Sequence, residues 1–386
     1  MPAMARGRHV FVEERTQRLI EFSETSTLNK VEINDTKIGV ITSGIAYQYA
    51  KEALGDTVSY LKLGIVNPLP KKLITDFVEK FETVYVIEEL DDVIETHCKK
   101  LGLNVKGKEL FGFIGELSQS IIAEKILGKK IEYKEFSEPV PVRPPVMCAG
   151  CPHRGLFSVL SKKKLMVSGD IGCYTLGASA PLSAMDTTIC MGASVSGLHG
   201  FNKARGKESE KKSVAVIGDS TFMHSGMTGL VNIAYNSTNS TVIILDNSIT
   251  GMTGHQHNPT TGYNLKGDVT AKVDLESLCR AIGINRVRVV DPYNIAETEK
   301  AITEELEVDE PSVIISRRPC ALLKNVKHKP ALKVNRDKCK SCKMCMKVGC
   351  PAISMKEGKA EIDYTQCVGC EVCMQMCKFD AIGGNE

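Results

Sequence analysis

"KSVAVIGDSTFMHSGMTGLVNIAYNSTNSTVIILDNSITGMTGHQHN", residues 212–258, holds two apolar strand-length runs, each ending on an acidic residue, with a helical stretch between them. Asp219 and the Asp246-Asn247 pair therefore fall at the ends of two neighbouring strands, where an open sheet places its ligand site. The spacing predicts a helix over 221–236, with Met223, Met227, Leu230, Val231 and Ala234 on one core-facing side.

Working outward, "KLMVSGDIG" and "PSVIISRR" add strands on either side, and helical stretches separate them. An earlier block repeats the alternation with "KIGVITSG", "AYQYAKEAL", "VSYLKLG" and "VYVIEE". Strand and helix in turn predict parallel sheets wrapped by helices. The proline-rich stretch "EFSEPVPVRPPV", 135–146, marks a boundary between the blocks. Residues 8–25 read as a charged helix.

With 386 residues, 42% apolar and 25% charged, the chain can bury a core of two or three domains. The formal charge of +3, from 49 basic and 46 acidic residues spread along the chain, supplies no basic stripe for nucleic acid. No run of about 18 apolar residues exists to span a membrane, and the N-terminus lacks a signal-like apolar region. A cytoplasmic protein without nucleic-acid or membrane partners is expected.

Eight of the fifteen cysteines lie in the last 48 residues. They form C-x2-C-x2-C-x4-C-P (Cys339, Cys342, Cys345, Cys350) and C-x2-C-x2-C-x3-C (Cys367, Cys370, Cys373, Cys377). Three thiolates at such spacing wrap one [4Fe-4S] cubane while the fourth completes its neighbour, as in two-cluster bacterial ferredoxins. Cys339, Cys342, Cys345 and Cys377 are then one ligand set, and Cys350, Cys367, Cys370 and Cys373 the other. A pair of zinc knuckles is the competing reading, but zinc sites use paired ligands with a longer gap. Two details depart from the ferredoxin pattern: the four-residue gap before Cys350, and Lys378 in place of proline.

Gly218-Asp219-Ser220, followed 28 residues after Asp219 by Asn247, resembles the segment with which thiamine-diphosphate enzymes hold the cofactor's magnesium. Mg2+ takes an octahedron of oxygens, several from phosphate and water, so a carboxylate, an amide oxygen and a carbonyl suffice from protein. Asp219, Asn247 and the Ile249 carbonyl would fill those roles. Punctuation of strand ends is the alternative. Ser220 stands where the commonest form has a third glycine.

Together "PPVMCAGCPHRG", "GDIGCYTLG", "CMGAS", "GDSTFMHSG", "LDNSITGMTGHQ" and the four-residue gap in the tail resemble the large (alpha) subunits of the 2-oxoacid:ferredoxin oxidoreductase family, indolepyruvate type, over essentially the whole chain. The resemblance implies an α/β fold. It has a transketolase C-terminal-like domain over 31–135 and a thiamine-diphosphate-binding doubly wound parallel-sheet domain over 140–325. A small α+β two-cluster ferredoxin domain follows over 330–386. It places Gly192, Ala193 and Ser194 beside the diphosphate. Residues 1–30 would be the connector from a pyrimidine-binding domain that this chain lacks. The implied cofactors are thiamine diphosphate, Mg2+ and two [4Fe-4S] clusters. The implied partners are a small (beta) subunit, ferredoxin, coenzyme A and a 2-oxo acid.

The expected reaction is oxidative decarboxylation of an aryl 2-oxo acid to an acyl-CoA, carbon dioxide and reduced ferredoxin. A non-catalytic electron-transfer subunit, or an oxidoreductase acting on another acid such as pyruvate, are the rival readings. Cys148, Cys151, Cys173 and Cys320 follow the order in which family members carry a third cluster near the thiamine; zinc binding or bracing by the first two, with the others buried, is the alternative. His224, His255 and His257 flank the site; the first two are candidate proton donors, against a plain structural role. Cys98, Cys190 and Cys279 are expected in the core.

Overall fold

Runs such as "GVIT" and "VIIL" are too short to bury themselves and can satisfy their backbone only by pairing with other strands. The computed structural model describes residues 1–130, 137–142 and 144–384. The chain forms two units, Met1–Val140 and Pro141–Glu386. Their division falls inside the proline-rich stretch 135–146, of which 135, 136 and 143 lie outside the described residues.

In the first unit, β1 (Lys30–Glu32), β2 (Ile38–Ser43), β3 (Ser59–Leu63) and β4 (Thr83–Ile87) form a sheet in the order β1-β3-β2-β4. β2 runs parallel to β3 and β4, while β1 is an antiparallel edge. The charged "KVE" of β1 carries no apolar signal because an edge strand needs only backbone pairing. Helices Lys71–Val78 and Val93–Lys100 cover one face through Ile74, Phe77, Ile94 and Cys98. Helices Gly44–Leu54 and Gln119–Leu127 cover the other through Ala46, Ala50, Leu54 and Ile122. The first helix spans Pro2–Thr25, starting earlier than the charge pattern indicates, with proline at its favoured first turn and Ser23 its buried residue.

The second unit is built on six parallel strands: β5 (Met166–Gly169), β6 (Thr187–Thr188), β7 (Ser213–Gly218), β8 (Thr241–Asp246), β9 (Arg286–Val290) and β10 (Ser312–Arg317), ordered β6-β5-β7-β8-β10-β9. Alternate residues of the central strands feed two cores. Val214, Val216, Ile243, Leu245 and Ile314 meet helices His153–Lys163 and Ile295–Glu307. Ala215, Ile217, Val242, Ile244, Val313 and Ile315 meet helices Ala193–Arg205, Met227–Tyr235 and Leu275–Ile282. Edge strand β9, "RVRVV", escapes an apolar reading because Arg286 and Arg288 point to the buried Glu305; Arg286 Nε lies 2.7 Å from its carboxylate. Beyond the sheet, β11 (Lys333–Val334) pairs antiparallel with β14 (Ile382–Gly383), and β12 (Ile353–Lys356) with β13 (Lys359–Ile362).

Two sequence expectations are corrected. Val231 is about half exposed; the buried positions are Phe222, Gly226, Gly229, Leu230 and Ile233, with Met223, Met227 and Ala234 at the margin. The turn Phe222–Gly226 ahead of Met227 is π-helical and so takes in an extra residue. Cys190 is exposed in the turn after β6, where its carbonyl accepts the Ala193 amide, whereas Cys98 and Cys279 are buried as expected.

Helix His153–Lys163 packs so closely that a β-carbon on Gly155 would lie 1.7 Å from the Pro292 carbonyl oxygen. Backbone cannot yield as a side chain can. Gly155→Ala is expected to lose about 2–3 kcal/mol of stability, read as a lowered midpoint in chemical denaturation; an unchanged midpoint would contradict this packing.

Candidate functional site

The chain moves outward from β5 to β6, then returns to place β7 on the other side of β5. Open sheets bind ligands beyond the strand ends at such a reversal. Asp170 follows β5 there, Asp219 follows β7, and Asn247 follows β8.

Asp219 is 2% exposed and has no basic partner among the described residues. One carboxylate oxygen accepts the Ser220 amide at 2.7 Å and the other the Thr260 hydroxyl at 3.4 Å. Burial, then the neighbouring Asp246, pushes its carboxyl up to about 7. Asp246 is itself neutralised by Arg317, whose Nε lies 2.8 Å away. The uncompensated acid is therefore Asp219, and a divalent cation is the group that would balance it. Asn247 is also buried; its side-chain oxygen accepts the Ile249 amide at 3.3 Å. These residues fit a magnesium ion held jointly with a diphosphate. Thr260 and Asn258, which meet Asp219 from the following loop, carry no sequence signal beyond their nearness to "TGHQ".

The backbone amides of the Gly192-Ala193-Ser194 triplet, at the start of helix Ala193–Arg205, are already engaged within the protein. The amides of Gly192 and Ser194 donate to the fully buried Asp170 at 2.9 and 3.1 Å, and that of Ala193 to the Cys190 carbonyl. A carboxylate at a helix N-terminus satisfies the donors a phosphate would otherwise take. What remains is the Ser194 hydroxyl, buried and without a hydrogen-bond partner among the described residues. Gly192 has φ +85°, and a β-carbon there would strike Ser225. Asp170 had a legible signal in retrospect: "SGD" repeats the Gly-Asp strand ending of Gly218-Asp219.

Parallel pairing of β8 with β10 continues past the strands. Arg318 donates its amide to the Asp246 carbonyl at 3.0 Å, and Cys320 donates to the Asn247 carbonyl at 2.9 Å. Cys320 thus stands beside a proposed magnesium ligand. Cys173 lies by Gly251 in the loop after Asn247. Burial raises the Cys173 thiol first, and Cys320 and Cys148 raise it further; Cys151 is pushed up to about 12 by burial, with added contributions from Cys148 and Cys320. Cys148 and Cys320 thus each bear electrostatically on both Cys151 and Cys173.

Buried Arg154, which sequence reading passed over, holds this loop. Its guanidinium donates to the carbonyls of Met147 and Cys148 and, across to the tail, to those of Val348 and Gly349. His255 sits against Cys320, with Nε2 3.9 Å from the sulfur. Exposed His224 pairs with Ser225 at 3.1 Å, and His257 stacks on Tyr263. Among the described residues none of the three bonds to Asp219 or Asn247.

Residues 170–316 match the family "Thiamine pyrophosphate enzyme, C-terminal TPP binding domain", and residues 360–383 match "4Fe-4S binding domain". "Indolepyruvate oxidoreductase subunit IorA" of Pyrococcus horikoshii is 38% identical over 426 residues, covering 99% of this chain and 66% of that protein. The chain belongs to the family of these IorA subunits. The protein of the same name from Archaeoglobus fulgidus is 35% identical over 412 residues, covering 99% of this chain and 65% of its own length. "2-oxoglutarate synthase subunit KorB" of the same organism is 26% identical over 219 residues, 53% of this chain and 80% of that one. The chain thus spans a little under two thirds of the length of the IorA proteins it matches. Its fold is that of a thiamine-binding parallel sheet followed by a ferredoxin-type module.

In that module Cys339, Cys342, Cys345 and Cys377 line one cavity. Burial raises the Cys345 thiol, and Cys342, Cys377 and Cys339 add to it. Cys373 is pushed up to about 12 by burial and then by Cys370, Cys350 and Cys367. Cys377 of the second run thus shares a cavity with the first three cysteines, and Cys350 of the first run neighbours Cys373. Among the described residues, no three His, Cys, Asp or Glu side chains converge as they would on a single metal ion. The thiolates of a cubane stand farther apart than the four around one zinc, because each binds a different iron.

Removing the Asp219 carboxylate takes away the charge that calls for the cation. Asp219→Ala is expected to abolish Mg2+-dependent thiamine diphosphate binding, and Asn247→Ala to weaken it about 10- to 100-fold, both read by calorimetry. Wild-type affinity in Asp219→Ala would overturn the assignment.

Proposed function

We propose that this chain carries the magnesium-diphosphate half of a thiamine site, together with the clusters that drain it, in an indolepyruvate-type 2-oxoacid:ferredoxin oxidoreductase. The reaction is oxidation of an aryl 2-oxo acid with coenzyme A and two oxidised ferredoxins, giving an aryl-acyl-CoA, carbon dioxide, two reduced ferredoxins and a proton. The small subunit is the partner, and the cytoplasm the setting; among the described residues no helix is long and apolar enough to cross a membrane. Thiamine diphosphate, when bound, supplies the electron sink that decarboxylation requires.

The chain's own residues have separate tasks. Asp219, Asn247 and the Ile249 carbonyl hold Mg2+, and Ser194 offers a hydroxyl to the cofactor. Cys148, Cys151, Cys173 and Cys320 hold a third [4Fe-4S] cluster, beside the two in the tail. Residues 31–135 act as the transketolase C-terminal-like domain. The observation that best supports this reading is the Cys320 to Asn247 backbone hydrogen bond at 2.9 Å, between the residues proposed for the third cluster and for magnesium. A non-catalytic electron carrier would gain nothing from a buried, uncompensated Asp219 at that point.

Reconstituted with its partner subunits, the chain is expected to support viologen or ferredoxin reduction on indolepyruvate and phenylpyruvate, at least about tenfold faster than on pyruvate. A preference for pyruvate would replace the aryl substrate, and failure on all three would sink the enzymatic reading. Iron analysis should give about 12 irons per chain, falling to about 8 when Cys148 and Cys151 are replaced by serine. About 8 in both would leave only the tail clusters.

A further inference from the structure

The net charge of +3 hides a division inside the tail module. Residues 333–347 carry six basic residues (Lys333, Arg336, Lys338, Lys340, Lys343, Lys347) against Asp337 alone. Residues 357–371 carry four acidic ones (Glu357, Glu361, Asp363, Glu371) against Lys359. The basic run threads Cys339, Cys342 and Cys345; the acidic run leads to Cys367 and Cys370.

The two ends face different surroundings. Around Cys350, Cys367 and Cys370 the module is fastened to the parallel-sheet part of its own unit. Arg154 grips the Val348 and Gly349 carbonyls, and the Gln375 side chain donates to the Tyr293 carbonyl at 2.7 Å and accepts the Ile295 amide at 3.0 Å. Glu371 pairs with Lys329 at 2.9 Å, and a β-carbon on Gly369 would lie 2.5 Å from the Pro330 carbonyl. Around the other set, Cys342 is exposed, and Lys340 and Lys343 line the same cavity as its cysteines. Lys338, Lys340, Lys343, Lys347 and Lys378 are all exposed, and none has an acidic partner within 4 Å among the described residues. Asp337 and Asp380 are the acidic side chains on this rim.

We propose that this lysine rim is the docking surface for the external electron acceptor, a small soluble carrier with an acidic face around its own redox centre. This deepens the proposed function and rests on the tail being a two-cluster module. Unpaired like charges at a surface cost solubility nothing but raise the local concentration of an oppositely charged partner, and they orient its approach. Here they surround the cysteine set that faces away from the thiamine end, so an electron entering beside Arg154 leaves beside Lys340 and Lys343. Each docking event passes one electron to the oxidised carrier. The two electrons released per 2-oxo acid therefore need two carriers in turn, which favours quick electrostatic association over a tight complex.

The test uses the assembled enzyme with an oxidised acidic [4Fe-4S] ferredoxin, and methyl viologen as a small acceptor that needs no docking face. Ferredoxin affinity by calorimetry is expected to fall steeply between about 50 and 300 mM NaCl, as screening shortens the reach of the rim. Replacing Lys338, Lys347 and Lys378, rim lysines outside the cavity lining, together by glutamine should lower that affinity about tenfold and flatten the salt dependence, leaving viologen reduction and iron content unchanged. Salt-insensitive binding by the wild type, or unchanged affinity in the triple variant, would overturn the proposal. So would parallel loss of viologen reduction, which would tie the lysines to the cluster itself, or loss of the small subunit on gel filtration, which would make the rim a subunit interface. Calorimetry needs no turnover, so failure of the substrate reading would not be mistaken for failure of the docking surface.

Discussion

Everything at the proposed site depends on the parallel pairing of β8 with β10 being carried beyond the strands themselves. Ile244 faces Ile315 and Asp246 faces Arg317 in register, and two further amides, of Arg318 and Cys320, reach back to Asp246 and Asn247. Sheet hydrogen bonds are directional and repeat at a fixed spacing, so they transmit position from a buried core to a loop better than side-chain packing does. Here they carry a cysteine to an asparagine across 73 residues of sequence. Slipping that register by one residue would move Val313 and Ile315, both fully buried, out of the core they fill and into the opposite one, with Ile314 displaced the other way.

Charge is distributed to match. Asp170, Asp219 and Asp246 lie at the ends of three adjacent strands, all at least 95% buried, and each is treated differently. Asp170 is satisfied by backbone amides, Asp246 by Arg317, which also reaches Glu276 at 2.9 Å, and Asp219 by no cation of the protein. A buried carboxylate without a partner is expensive, by several kcal/mol if kept charged. That imbalance is the reason Asp219 is proposed as a metal ligand, while the neighbouring acids have partners within the protein. Arg154 plays the corresponding part for the cysteines. One guanidinium ties the Met147–Cys148 loop to the Val348–Gly349 loop, so the proposed third cluster and the inner tail cluster share a single anchor.

The sequence was most legible where chemistry demands both a residue type and a spacing. The tail cysteines, the Gly-Asp to Asn separation and the apolar central strands all have that property, and the parallel sheet follows from them. It was least legible where a neighbour supplied the reason. β9 reads as charged because its arginines answer Glu305 on a helix packed beside it, and β6 is two threonines that pair with the end of β5. The helix after Asp219 was legible as a helix, but apolar Val231 lies on its exposed side, and nothing in "FMHSG" announces the π-helical turn before it. Likewise nothing in "CMGAS" announces that Asp170, twenty residues before its cysteine, accepts the amides of Gly192 and Ser194. Cys190 looked like a core thiol because its neighbours are apolar, yet those neighbours belong to an exposed turn.

The adjacency of metal site and cluster can be read by electron paramagnetic resonance with Mn2+ replacing Mg2+ beside thiamine diphosphate. A reduced, paramagnetic cluster on Cys148, Cys151, Cys173 and Cys320 should shorten the Mn2+ relaxation time through dipolar coupling, and serine at Cys148 and Cys151 should remove the effect. Mn2+ relaxation that stays the same after full reduction of the clusters would contradict the placement of Cys320 against Asn247 as the link between them.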